Sequence, residues 1–222
     1  MSVANNIETI RDILKNTHCR LIAVSKTYPA EIVKEAYDAG QRIFGENKVQ
    51  ELVPKYEQLP KDIQWHLIGH LQTNKVKFIA PFVAFIHSVD SFKLLKEIDK
   101  EAKKNNRIIN VLLQLYIADE ETKFGFSFKE AEEILQSEEL VFLKNIKIQG
   151  FMGMATNTDD QEKIGIEFRS VKVFFNHCKE LYSTNNIDLI ELSMGMSSDY
   201  KIALKEGSTF IRIGSSIFGK RN

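Results

Sequence analysis

Short apolar runs alternate with amphipathic stretches along the whole chain. MSVANNIETIRDIL reads as an amphipathic opening helix, near Val3 to Lys15, and the apolar run Leu21 to Ser25 follows it. Brief runs of β-branched and aliphatic residues suit strands buried on both faces of a sheet. Pro29 can open the next helix, Ala30 to Ala39, which Gly40 ends. Further strands are predicted at 42–44, 65–68, 83–87, 111–116, 146–152, 189–192 and 210–213. Helical patterns lie between them, towards Tyr56 and at 74–79, 91–104 and 128–136. A long helix at 160–182 is apolar at Ile164, Phe168, Val171 and Phe175, close to helical spacing. Ser197 or Ser198 can cap a last segment from Asp199 to Lys205.

Eight strand candidates each precede a helix or a helix-like turn. That order predicts a parallel α/β architecture, and eight units favour a closed (β/α)8 barrel of the TIM type, with an extra N-terminal helix, over an open doubly wound sheet. No linker, low-complexity tract or repeat beyond the β/α unit interrupts the chain, so residues 1–222 are expected to form one domain. No G-x-G-x-x-G follows the first strand and no Walker-type loop occurs, which weakens dinucleotide and nucleotide readings. In a barrel the functional groups lie at the C-terminal ends of the strands. Those ends carry Lys26, Glu46 with Asn47, His70, Asp90, Met154 to Thr156, Ser197 with Ser198, and Gly214 with Ser215.

Lys26 is the chemically suggestive one. A lysine closing a buried strand is partly desolvated, which favours the neutral amine, and a neutral amine can condense with an aldehyde. The plainer alternative is a lysine that snorkels to solvent. Near the other end, Arg212-Ile213-Gly214-Ser215-Ser216 and Ser193-Met194-Gly195-Met196-Ser197-Ser198 are strand-to-loop turns of small residues able to close around an anion. With Lys26 on an early strand, they suggest a phosphate-bearing aldehyde.

Composition leaves this picture standing. Thirty basic and thirty acidic side chains cancel, so no overall field favours nucleic acid or an anionic membrane. Two cysteines, Cys19 and Cys178, are too few and too far apart for a disulfide framework or a zinc site, and a reducing compartment is the simpler inference. No apolar run approaches membrane-spanning length and the N-terminus does not look like a signal peptide, so a cytoplasmic protein is expected.

The segments AVSKT, FGENKVQE, WHLIGHLQTNK, the FGF of Phe124 to Phe126, GFMGMA, LSMGMSSD and RIGSSIFG occur in order from about Leu21 to Gly219. Together they resemble the pyridoxal phosphate homeostasis proteins. The resemblance implies a barrel like the N-terminal domain of alanine racemase, the type III fold of pyridoxal 5′-phosphate (PLP) proteins. It implies PLP held as a Schiff base on Lys26, with no established turnover and a role in keeping cellular vitamin B6 available and harmless. Residue by residue, it implies that Gly214 and Ser215 hold phosphate through backbone N–H, that Ser197 (or Ser198 beside it) adds a hydroxyl, that Asn47 contacts the ring or its phenolic oxygen, and that Arg212 faces the pyridine nitrogen. The implied partners are PLP itself and PLP-dependent apoenzymes or B6-salvage enzymes, with neither nucleic acid nor membrane among them.

Other readings stand beside these. Arg212 could be a buried structural arginine paired with a carboxylate. His66 and His70 are read as one barrel-packing and one mouth residue, not a metal pair. The alternating Met152, Met154, Met194 and Met196 read as packing, Glu46 as a helix cap or an acid–base group, and Lys123 as a solvated loop residue or a relay. Barrel-type PLP racemases and decarboxylases carry a C-terminal β domain, which is not expected here. Lys26 supplies one evident base, with Tyr28 and Tyr200 as weaker candidates for a second. A PLP-dependent racemase-like enzyme and a PLP-independent sugar-phosphate barrel enzyme with a Schiff-base lysine are the two alternatives.

Overall fold

The computed structural model describes residues 2–118 and 124–219. Eight parallel strands close on themselves in chain order: β1 (Arg20–Val24), β2 (Ile43–Glu46), β3 (Gln64–Leu67), β4 (Phe85–Val89), β5 (Ile109–Leu115), β6 (Ile146–Gly153), β7 (Ile187–Ser193) and β8 (Phe210–Ile213). The seam is the β8–β1 pairing, with Leu21 opposite Ile211 and Ala23 opposite Ile213. Around the barrel run α1 (Val3–Leu14), which precedes β1, then α2 (Ala30–Asp38), α3 (Val49–Gln58), the short α4 (Val76–Ile79), α5 (Phe92–Lys104), α6 (Phe128–Gln136), α7 (Gln161–Leu181), α8 (Tyr200–Lys205) and α9 (Ser215–Phe218). The (β/α)8 expectation and the additional first helix both hold.

Two apolar layers follow from the strand period of two. Outward-facing residues such as Leu21, Ala23, Phe44, Trp65, Leu67, Val111 and Ile211 pack against the helices in the main core. Inward-facing Ile22, Phe85, Leu112, Met152 and Phe210 fill the lumen, so it is a packed interior and not a pore. The long helix α7 buries Ile164, Phe168, Val171 and Phe175, the four periodic positions, and Asp160 caps it by accepting from the N–H groups of Glu162 and Lys163 at 3.0 Å. Ser91 caps α5, and Ser127 with Glu130 forms a reciprocal capping box on α6.

Two local expectations are corrected. The strand predicted from Val83 begins at Phe85, because the N–H groups of Phe82 and Val83 bond back to Ile79 O and complete the turn after α4. Neither Ser197 nor Ser198 caps α8. Its N-cap is Asp199, since the N–H groups of Asp199 and Tyr200 both close on Met196 O and leave the serines in the loop.

Candidate functional site

β1 ends at Val24, and the chain turns at once through Ser25, Lys26, Thr27 and Tyr28, with the Tyr28 N–H donating to Ser25 O at 3.1 Å. Lys26 is half-buried at the C-terminal mouth of the barrel, two positions beyond Val24 and four beyond the lumen residue Ile22. Alternation along β1 therefore carries it towards the barrel axis.

β8 delivers the glycine–serine turn beside it. Gly214 lies against the end of β1: a Cβ added there would stand 3.3 Å from Val24 O, so the loop approaches this closely because residue 214 lacks a side chain. Its N–H reaches Ser197 Oγ at 3.4 Å, a long bond that ties the loop after β7 to the loop after β8. Ser215 and Ser216 are exposed in the first turn of α9, where backbone N–H groups have no intrahelical partner. Asn47 is half-buried one residue past the end of β2, the other neighbour of β1. Its backbone is pressed against Gly69, where any Cβ would come within 2.5 Å of Asn47 O. Lys26, Asn47, Gly214 and Ser197 thus come from adjoining strand ends at one mouth. Ser198 is exposed and turns to the neighbouring cavity of ≈ 290 Å³ between the ends of β5, β6 and β7.

Arg212 forms the polar floor. It shares the inward face of β8 with Phe210 and is 4% exposed. One guanidinium nitrogen donates to Ser193 O and to Ser193 Oγ, each at 2.7 Å, and the other donates to Gly153 O at 3.0 Å. Burial lowers its pKa to about 10, with the Asp199 carboxylate acting the other way, so Arg212 is a cation at neutral pH. Asp199 is itself buried, its carboxyl pushed up by burial and pulled back by the Met196 N–H and by Arg212. The structural-arginine reading is met in part, since Asp199 supplies the carboxylate while neutral oxygens of Ser193 and Gly153 accept the hydrogen bonds.

From Arg212 a chain of hydrogen bonds descends into the lumen. His87 Nδ1 is 2.9 Å from Ser193 Oγ, and His87 Nε2 is 2.9 Å from His66 Nδ1. Ser193 Oγ, which accepts from Arg212, can give its own hydrogen to His87 Nδ1 or take one from it, and the His87–His66 contact follows the same direction, so the column needs one proton per ring. Both imidazoles are then neutral. Burial drives them the same way, with the His66 pKa lowered to about 3 and that of His87 also well below its ordinary value.

Several sequence-level candidates have other duties. Glu46 points outward from β2, wholly buried, and accepts from Lys55 Nζ and Ser25 Oγ, each at 2.6 Å. It therefore neither caps α3 nor reaches the mouth, and burial raises its pKa against the pull of Lys55. His66 packs in the lumen, whereas the exposed His70 pairs with Asp90 at 2.9 Å and lies tilted against Phe124, ring centres 5.5 Å apart. Among the described residues no group of metal-ligating side chains converges. Tyr28 donates its hydroxyl to Gly219 O at 2.7 Å and so braces the C-terminal segment. Met152 and Met194 are core residues, while Met154 and Met196 line the cavity beside the mouth. Lys123 lies outside the described residues. Ser193, His87 and Lys55 were not singled out from the sequence. The first two alternate inward on their strands, but no local motif marks a polar residue as lumen-facing.

The family described as the alanine racemase N-terminal domain matches residues 1–222. The pyridoxal phosphate homeostasis protein of Aquifex aeolicus is 40% identical over 203 residues, 91% of this chain and 87% of its own. This chain belongs to the pyridoxal phosphate homeostasis protein family. PipY of Synechococcus elongatus, solved without and with PLP bound, superposes with TM-scores of 0.91 and 0.88 at 35% identity, over 98% of this chain and 100% of its own. Alanine racemase of Bartonella henselae shares the fold at a TM-score of 0.70 and 16% identity, with this chain spanning 60% of its length. Among the described residues no helix is long and apolar enough to cross a membrane.

Proposed function

We propose that this homeostasis protein holds PLP covalently at Lys26, with the phosphate on the N–H groups of Gly214 and Ser215 and the Ser197 hydroxyl, Asn47 beside the ring, and Arg212 at the ring nitrogen. The observation that carries the reading is the convergence at one mouth: Gly214 packs on Val24, two residues from Lys26, while its N–H meets Ser197. The donor set fits the cofactor. Lys26 leaves the strand end beside a turn that a Cβ would crowd, with the N–H groups of the first turn of α9, two hydroxyls and a buried cation close by in the fold.

PLP supplies an aldehyde that condenses with amines and a ring that withdraws electrons when its nitrogen is protonated. Arg212 opposes that protonation, because it is a cation held by three hydrogen bonds to neutral oxygens and cannot accept a proton. A site of this kind binds and shields the cofactor while activating a substrate α-carbon poorly. The role is therefore custody of PLP without amino-acid turnover, with release to PLP-dependent apoenzymes or exchange with B6-salvage enzymes. The free, buried Cys19 and Cys178 suit a cytoplasmic setting. Borohydride reduction of PLP-loaded protein followed by peptide mass mapping tests the assignment. A pyridoxyl mass on the peptide containing Lys26 is expected, and the mass on any other lysine overturns it.

A further inference from the structure

A single helix grips the backbone on both sides of Lys26. Ser25 O, the carbonyl of the peptide bond entering Lys26, accepts from Lys55 Nζ at 2.8 Å and from the Tyr28 N–H at 3.1 Å. The second bond closes a four-residue turn with Lys26 and Thr27 at its centre. Thr27 sits at φ +70, the left-handed region that the third position of a type II turn requires and that glycine usually fills. A β-branched residue there is strained and persists only where its surroundings hold it. What holds it is the Thr27 N–H, which leaves Lys26 on the other side and donates to Glu51 Oε2 at 2.7 Å.

Glu51 and Lys55 stand one turn apart on α3, so they present to the same side. Lys55 is buried, and its charge is met by Glu46 Oε1, which also takes the Ser25 hydroxyl. Glu46 Oε2 has no partner and is sealed from solvent. Apolar residues of similar volume commonly replace a buried ion pair without loss of stability, so stability is a weak reason for one here. Its geometry serves a different end: Lys55 ends on the carbonyl of the peptide bond entering Lys26, and Glu46 takes both Lys55 and the hydroxyl of the residue before Lys26.

We propose that Glu51 and Lys55, with Glu46 neutralising Lys55, are positioning residues that hold Lys26 in a strained turn and aim its amine into the mouth before cofactor arrives. The proposal rests on the reading of Lys26 as the attachment site. A turn already set spares binding the work of ordering it. Loosening the clamp lowers the competent fraction of apo-protein and raises the apparent Kd in proportion.

Glu51 is half-buried in the first turn of α3, and its replacement opens no core cavity, so Glu51→Ala isolates one arm. In apo-protein, amide hydrogen exchange at Thr27 is expected to accelerate at least about tenfold in Glu51→Ala, and the Kd for PLP to rise about tenfold, with the thermal midpoint nearly unchanged. Glu51→Gln keeps a carbonyl acceptor and should restore both readings. PLP affinity in Glu51→Ala equal to the parent, or Glu51→Gln no better than Glu51→Ala, overturns the proposal. Peptide mapping of the reduced parent separates the two ideas. A pyridoxyl group on another lysine sinks the attachment reading and the purpose of the clamp with it. A group on Lys26 with unaltered Thr27 exchange in Glu51→Ala sinks the clamp alone.

Discussion

Arg212 donates to the Ser193 hydroxyl oxygen at 2.7 Å, and through that hydroxyl it joins two buried histidines deeper in the barrel. Ser193 Oγ meets His87 Nδ1 and His87 Nε2 meets His66 Nδ1, each at 2.9 Å, and burial keeps both rings neutral. A second proton on either ring would place a cation in the same closed column as Arg212. The floor of the mouth is therefore one fixed cation on a neutral relay.

The relay gives the protein an acid-sensitive stability. The folded-state pKa of His66 is lowered from 6.5 to about 3, and that of His87 is lowered too, so the unfolded chain binds more protons once pH falls below about 6.5. The stability these neutral histidines contribute is present above pH 6.5 and drains away as pH falls towards 3, at up to roughly 1.4 kcal/mol per pH unit for each ring. Urea unfolding measured between pH 7 and 4 should show it. The imidazole nitrogen signals of both residues should stay neutral throughout pH 5–8, and a ring titrating near pH 6 would contradict the assignment.

Lys26→Ala should abolish the visible absorption band of PLP-loaded protein and leave the fold intact. The side chain leaves a strand end at a solvent-accessible mouth, so shortening it opens no core cavity, and the thermal midpoint of apo-protein should move little. A retained band with a different labelled lysine counts against the attachment.

The barrel was legible because its signals are local. Each strand is a brief apolar run, and the helix periods at Ile164, Phe168, Val171 and Phe175 reappear as the buried face of α7. Strand-end positions named Lys26, Asn47, Ser197 and Gly214, and closure of β8 on β1 brings them to one mouth. What stayed hidden depends on which way a residue faces. Glu46 and Asn47 are chain neighbours, yet period two sends the carboxylate outward to Lys55. Likewise Ser193 and His87 gain meaning only through Arg212, far away in sequence and joined to them across the lumen. The Asp199 cap was missed because a loop hydrogen bond to Met196 O decided the helix start over serine propensity.

Phosphate should dominate recognition. With phosphate on Gly214, Ser215 and Ser197 as proposed, two or three charge-assisted hydrogen bonds would contribute about 1.5–3 kcal/mol each, so pyridoxal is expected to bind far more weakly than PLP. Gly214→Ala puts a Cβ 3.3 Å from Val24 O, the backbone of a paired strand that cannot yield easily, and shifts the loop. It should weaken PLP by about tenfold or more while leaving pyridoxal nearly unaffected. Titration of both ligands against both proteins measures this, and an unchanged PLP-to-pyridoxal ratio would remove the phosphate role.

Amino acids should perturb the bound cofactor without being turned over. Access to the aldehyde carbon is enough for an amine to displace Lys26, so the visible spectrum should shift when amino acids are added. Loss of an α-proton needs more: a base aimed at that carbon and a ring nitrogen able to hold a proton. Arg212 stays cationic up to about pH 10 and, as a guanidinium held by Ser193 and Gly153, carries donors and no acceptor, so placed at that nitrogen it would disfavour a proton there. Tyr28, a candidate second base, spends its hydroxyl on Gly219 O. In deuterated water, incorporation at the α-position should thus run far below the ~1–1,000 per second of ordinary enzymes. Mass spectrometry of a panel of amino acids measures it, and rapid deuteration of any one would establish catalysis in place of custody.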